Sequence, residues 1–256
     1  MRRGAVKQLL AQSMLLAWIK HGATGASSPL AIKVGAHDGV TGDPSSRSLL
    51  ETTRWQVCLV EPVPWLFERL KLNYADNSRF TCVNAAINSD GATSASLYMV
   101  DRDRVTGVMA LPDWWDQIAS LDQNHIVKCL VLGVPETEIE VESMTLASLV
   151  ARHRLNCVAL LQIDTEGHDL NVLNSFDFNT GRPAVIFLEI AHLSAGEMAS
   201  LGHVLIRQGY RWRVEGTTDL IAFANGADFI GPFARSWPKL AIHVLRELKA
   251  ALGRRG

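Results

Sequence analysis

Leu30-Ala31-Ile32-Lys33-Val34-Gly35-Ala36-His37-Asp38-Gly39 is the stretch whose reading decides the fold. A short, mostly apolar run ends in a turn bracketed by glycines, which allow the backbone to bend tightly and approach a ligand closely. Similar runs recur at Gln56–Val60, Arg79–Val83, Val158–Ile163 and Ala184–Ile190. Most are continuous rather than alternating, as in strands covered on both faces. Helical candidates lie between them. Pro64–Tyr74 sets Trp65, Leu66, Leu70 and Tyr74 near one face, and Thr145–His153 and Leu170–Ser175 behave alike. Strand alternating with helix predicts an α/β fold with a mostly parallel sheet and right-handed crossovers. Tyr210–Val214 and Leu220–Ala224, around Gly216–Asp219, predict an antiparallel close at the C-terminal end. Glu136–Glu142 alternates acids with Thr137, Ile139 and Val141, which predicts a half-exposed edge strand. Asp101–Pro135, with Trp114 and Trp115, has no clear period and is long for a structureless loop, so it is expected to be an insertion over the open end of the sheet.

The 256 residues suit one large domain or two small ones, and the 48% hydrophobic share suffices for a core. The net charge of −1 divides unevenly: residues 1–21 carry +4, residues 235–256 carry +5, and the body carries −10. An acidic body gives no support for nucleic acid or another polyanion bound there. The apolar run Leu9–Ile19 is too short to span a membrane. Arg2 and Arg3 before it resemble a signal-peptide start, but Lys20-His21 follow where small neutral residues are expected, so a helix packed on the domain is the expectation. The cysteines at 58, 82, 129 and 157 have no CxxC spacing. Cys58, Cys82 and Cys157 read as small buried hydrophobes, and a reducing cytoplasm is the simplest compartment.

The chemistry-bearing residues cluster at strand ends. In an open α/β sheet ligands bind outside the carboxyl ends of the strands, near the reversal of strand order. Glu61 ends the second strand, before Pro62 and 22 residues after Gly39, a spacing suited to accepting hydrogen bonds from ribose hydroxyls. A GxGxxG pyrophosphate cradle is absent, which speaks against a dinucleotide oxidoreductase. Ala85 and Ala86 leave room for a flat ring, with Ile87 as an apolar wall. The fourth strand runs into Asp164-Thr165-Glu166-Gly167-His168-Asp169, a concentration of acids and an imidazole that is costly unless it meets water, a partner or a ligand. Asp169 could cap the next helix. Glu189 sits within an apolar run, with His192 three residues on. Asp164, Glu189 and His192 could hold a divalent metal, although the expectation here is no metal.

The ordered set IKVGAHDGVTGDP (32–44), WQVCLVEPVPWLFERLKLNY (55–74), FTCVNAAI (80–87), LLQIDTEGHD (160–169), FLEIAHL (187–193) and a closing DLIAF (219–223) resembles the FkbM-type S-adenosylmethionine-dependent methyltransferases. The resemblance implies a Rossmann-like class I fold with a seven-stranded type of sheet flanked by helices, S-adenosyl-L-methionine as cofactor and, usually, O-methylation. It implies that the turn Gly35, Ala36, His37, Asp38 and Gly39 passes the methionine part, that Glu61 beside Pro62 holds the ribose, that Ala86 and Ile87 lie near the adenine, and that Asp164 lies at the transfer cleft. Many class I enzymes have an acid where this chain has Lys33, so the cofactor's amino group is expected to lean on Asp38 or Asp164.

The expected organisation is an N-terminal helical extension over 1–28, a methyltransferase domain over 29–225 with 101–135 as a lid, and a basic amphipathic helix over 226–256. His168, Glu189 and His192 are the candidate bases, His192 having the most suitable unperturbed pKa and Glu189 a place to orient it. Trp114 and Trp115 stack on an acceptor or pack on the domain's own core. The acceptor is a hydroxyl of a sugar, glycan or natural product. A catalytically inactive binding protein of the same fold is the alternative outside enzymology. The basic ends are the expected site of any membrane-surface or protein contact.

Overall fold

The computed structural model describes residues 15–21, 28–41, 44–105, 115–125, 135–155, 157–215 and 218–226. Residues 15–21 are helical (α1). They are followed by β1 (Leu30–Val34), α2 (Pro44–Glu51), β2 (Gln56–Val60), α3 (Pro64–Tyr74), β3 (Phe80–Val83), β4 (Ala86–Ile87), β5 (Ser94–Val100), β6 (Ala119–Ser120) and β7 (Glu136–Met144). Then come α4 (Leu146–Arg152), β8 (Val158–Ile163), α5 (Asp169–Asn174), β9 (Val185–Glu189), α6 (Ala195–Arg207), β10 (Tyr210–Glu215) and β11 (Asp219–Ala224).

Seven strands form one sheet in the order β3-β2-β1-β8-β9-β11-β10. β2 and β8 flank β1 in parallel, β9 pairs parallel with β8, and β11 runs antiparallel between β9 and β10. This is the Rossmann-like arrangement of class I methyltransferases, with the antiparallel close in the expected place. The strand order reverses between β1 and β8.

Period-two side-chain alternation explains why the central strands are mostly apolar on both faces. Ile32, Val34, Leu161, Ile163, Ile186 and Leu188 pack under Leu146 and Leu149 of α4, Val172 and Leu173 of α5, and Leu201 and Leu205 of α6. Ala31, Val57, Leu59, Leu160, Val185 and Phe187 face the other way, onto Trp18 and Ile19 of α1, Leu49 of α2, and Leu70 and Tyr74 of α3. The N-terminal helix therefore packs on the domain as the apolar run predicts: Trp18 lies 5.6 Å from Trp55, whose Nε1–H donates to the Ile19 carbonyl at 2.9 Å.

The expected strands Gln56–Val60 and Val158–Ile163 and the helix Pro64–Tyr74 stand as read. The expected half-exposed strand Glu136–Glu142 forms the first part of β7, which belongs to a second, four-stranded sheet ordered β4-β7-β5-β6. Along Glu136–Glu142 it pairs antiparallel with β5 alone among the described residues, so this span is an edge, and β4 joins its other side in parallel only at Ser143 and Met144. Glu136, Glu138, Glu140 and Glu142 are exposed and Val141 is buried, as the alternation predicts. Cys157 is a correction, being exposed at φ +60°, whereas Cys58 is buried and Cys82 half-buried. Burial pushes the Cys58 thiol up to about 12. Among the described residues no helix is long and apolar enough to cross a membrane. The expected basic helix over 226–256 lies, but for residue 226, outside the described residues, as do Trp114 and Cys129.

Candidate active site

The site is built from the carboxyl ends of β1, β2, β8 and β9. Gly35 has φ +78°, and a Cβ placed there would lie 1.6 Å from the carbonyl oxygen of Asp164. Only glycine allows the turn after β1 to touch the tip of β8. The Gly35 and Ala36 N–H groups both donate to the Val60 carbonyl at 3.0 Å, and Asp164 N–H donates to Val34 at 3.0 Å, so the three strand tips are fastened together. Gly39, at φ +75°, is pressed against Tyr74 and Leu70 of α3, and the Tyr74 hydroxyl donates to its carbonyl at 2.6 Å.

These tips surround a cavity of about 260 Å³. Glu61 lines it, 4% exposed. Its Oε2 accepts from His37 N–H at 2.8 Å and its Oε1 from Val63 N–H at 2.9 Å. Burial pushes its carboxyl up to about 7, against the opposing pull of those two N–H donors and of Lys33. A carboxylate has about four acceptor positions, so two remain for a ligand after the backbone has taken two. Gly35, Ala36, His37 and Pro62 also line the cavity, as do Ala86, Ile87 and Asp164.

Asp38 and Gly39 are not among the lining residues. Asp38 Oδ1 accepts from the Val40 and Thr41 N–H groups at 2.9 and 2.7 Å, and Oδ2 accepts from Thr41 Oγ1 at 2.7 Å. Burial raises its pKa, but the Thr41 and Val40 bonds outweigh that and hold the carboxyl at about 2. Of the two acids expected to meet the cofactor's amino group, Asp38 closes its own turn with both oxygens, whereas Asp164 lines the cavity. Lys33 is buried and lines the cavity, donating to Ser46 Oγ at 3.1 Å, while Ser45 Oγ donates to Gln162 Oε1 at 2.8 Å. Lys33, Ser45 and Gln162 thus give the cavity a polar wall.

The acids after β8 and β9 meet in space. Asp164, Glu166, Glu189 and His168 line the cavity. Burial, then Asp164, Glu166, Asp169 and Asp219, pushes the Glu189 carboxyl well above the usual range. His168, not Asp169, occupies the N-cap of α5, and its side chain makes no cap bond. The Asp169 carboxylate turns back onto the loop, accepting from Thr165 N–H and Gly167 N–H, each at 3.1 Å. Burial pushes it up to about 6. His168 Nε2 is buried without a hydrogen-bond partner among the described residues, and burial lowers its pKa. Its Nδ1 lies 3.3 Å from Asn171 Nδ2. With the amide nitrogen so placed, Nε2 carries the proton; with the amide oxygen there instead, Nε2 keeps its lone pair. His192 does not line the cavity, and its Nε2 lies 3.4 Å from Glu166 and 3.8 Å from Glu189.

Part of the 101–135 segment covers the site: Gln117, Ala119, Ser120 and Leu121 are cavity walls. Ser120 Oγ donates to the Glu166 carbonyl at 3.0 Å, and His125 Nε2 lies 3.0 Å from Glu166 Oε2. His125 was invisible to the sequence reading because its segment has no period to place it. Trp115 stacks against Trp65 with ring centroids 6.4 Å apart and packs on Val100 and Ile118, so of the two readings of that indole the domain's own core holds.

A model of the family described as the methyltransferase FkbM domain matches residues 33–212. No curated protein sequence matches significantly. Among solved structures the chain is similar to a precorrin-6y C5,15-methyltransferase from Geobacter metallireducens, at 11% identity over 84% of this chain and 87% of that one, with a TM-score of 0.41. It is also similar to a fibrillarin pre-rRNA processing protein from Methanococcus jannaschii, at 9% identity over 82% and 74%, with a TM-score of 0.42. At this level of similarity the strand order of the chain itself, and not these neighbours, defines the fold.

Proposed function

The chain belongs to the FkbM methyltransferase domain family, and from that premise we propose that it is an S-adenosylmethionine-dependent O-methyltransferase acting on a hydroxyl of a sugar, glycan or natural product. The observation that carries this reading is that one cavity holds both a buried carboxylate with acceptor capacity to spare, Glu61, and an imidazole nitrogen without a partner among the described residues, His168 Nε2.

The residues fit the cofactor. Glu61 would hold its ribose hydroxyls, Ala86 and Ile87 would flank its adenine, and the Gly35–His37 backbone would pass its amino-acid part. With Asp38 occupied by its own turn, Asp164 is the acid left to meet the amino group. Bound there, the cofactor would supply an electrophilic methyl group.

The chain's own task is then to position a hydroxyl oxygen and accept its proton. His168 is the base this geometry favours over His192, because it lines the cavity while His192 faces Glu166 behind the wall. Taking the proton at Nε2 requires the Asn171 amide oxygen, not its nitrogen, to face Nδ1–H. Glu189, held protonated, is suited to donating a hydrogen bond to the acceptor.

Calorimetric titration with S-adenosylmethionine and, separately, NAD tests the cofactor. Binding of the first alone is expected, and binding of NAD alone overturns the reading. Labelled methyl transfer to glycan and natural-product hydroxyls should then give a base-stable ether; a base-labile product means an ester and refutes a hydroxyl acceptor. His168→Ala should lower turnover by about 10²–10⁴-fold with unchanged cofactor affinity, and His192→Ala by much less.

A further inference from the structure

Three segments distant in sequence aim donor atoms at one point. His125 comes from the covering segment, Glu166 from the loop after β8 and His192 from the loop after β9. His125 Nε2, Glu166 Oε2 and His192 Nε2 all lie within 4.8 Å of one another, at 3.0 and 3.4 Å for the two contacts with Glu166. The two imidazoles meet edge to face, 4.4 Å between centroids. Asp164, Glu166 and Glu189 form a second group with oxygens within 4.8 Å of one another, so Glu166 belongs to both. Glu189 Oε2 is buried and has no hydrogen-bond partner among the described residues.

The backbone is bent to make this arrangement. Glu166 stands at φ +52°, a left-handed conformation unfavourable for a side chain of its kind, and Gly167 follows at φ +93°. A Cβ on Gly167 would lie 3.3 Å from His125 Nδ1 and 3.5 Å from His192 Cβ, so the loop packs closely on both residues, and its φ of +93° is what calls for glycine. Asp122 N–H donates to Ser120 Oγ at 3.1 Å, and that hydroxyl donates to the Glu166 carbonyl, which fixes the covering segment to the loop. Three carboxylates crowded together repel, and a proton on Glu189 relieves only part of that.

We propose that His125, His192 and Glu166 bind one divalent transition-metal ion at the wall of the cavity, with its remaining positions left to water. Two imidazoles with carboxylate oxygens suit Zn²⁺, Mn²⁺, Fe²⁺ or Co²⁺; Mg²⁺ and Ca²⁺ prefer all-oxygen sets. His125 and His192 stand behind Glu166, outside the cavity lining, while the carboxylates reach the cavity itself. The site does not depend on the methyltransferase reading: it rests on donor atoms alone.

The test uses the full chain, stripped with EDTA and dialysed, with ZnCl₂, MnCl₂ and CoCl₂ as separate probes and no cofactor present. Calorimetry and elemental analysis should give one ion per chain for at least one probe. His125→Ala, His192→Ala and Glu166→Gln should each weaken it about tenfold or more, while His203→Ala, exposed on α6, should not. The melting temperature of the unaltered chain should rise with ion concentration and fall back on EDTA, a readout that needs no variant to fold. Sub-stoichiometric binding of all three probes, unchanged affinity in the three variants, or a melting temperature indifferent to the ion overturns the site. Since the titrations omit S-adenosylmethionine, its binding is measured separately and either idea can fail alone.

Discussion

Glu61 is asked to do two opposed things, and its titration exposes both. Its folded pKa, about 7, lies above the ordinary 4.5. The folded carboxyl thus keeps a proton that the unfolded chain releases, so its stabilising contribution is full below about pH 4.5 and is lost as pH rises through about 7. Ribose hydroxyls donate to the carboxylate and favour the ionised form. Cofactor affinity should therefore rise with pH across the same window, with proton release on binding. Calorimetry and denaturant unfolding between pH 5 and 8 check both slopes, and both should flatten in Glu61→Gln. That variant also turns one acceptor into a donor facing a backbone N–H, so its affinity should fall about tenfold or more. Gly35→Ala drives a methyl group into the Asp164 carbonyl; its stability should drop by several kcal/mol, on the order reserved for severe strain, with cofactor binding abolished. The strand-end positions of Glu61 and Asp164 were legible because strand tips are where α/β sheets bind ligands. Asp38 and Asp164 were not separable, because a carboxylate that closes its own turn and one that faces a cavity share the same spelling. His125 was illegible because only the folded covering segment brings it to Glu166.

At the scale of elements, the continuous apolar strands announced a sheet covered on both sides, and the structure has that sheet. What escaped were α2, β5 and α6. The buried face of α2 is Ser45, Ser46 and Ser48 with Leu49, so it has no apolar stripe to detect. The start of α6 is written in its capping box, Ser194 with Glu197, a signal the sequence reading passed over. β7 was legible as an edge over Glu136–Glu142, but not its short pairing with β4 at Ser143 and Met144, because alternation describes the faces of a strand and says nothing of its neighbours. The best-anchored contact between α1 and the sheet is the Trp18–Trp55 pair with its Ile19 bond. Trp18→Ala should cost about 3–5 kcal/mol in urea unfolding, whereas an N-terminus merely resting on the surface would lose far less.

For the whole molecule, the division of charge into an acidic body and basic ends gains meaning from the cavity. Asp164 and Glu166 line it together with Glu61 and the protonated Glu189, against the ammonium of Lys33, and this surplus of acid suits a positively charged ligand. The basic N-terminal stretch cannot be treated as a detachable appendage, since Leu15 and Leu16 are cavity walls and Trp18 and Ile19 are core. Removing the first 21 residues should lower both the unfolding midpoint and the affinity for S-adenosylmethionine, and unchanged values of both would show the helix to be dispensable. The family match begins at residue 33, inside β1 and beyond the helix that closes this wall. A change at Leu15 or Leu16 would therefore reshape one side of the cavity while leaving every residue of the matched region as it is.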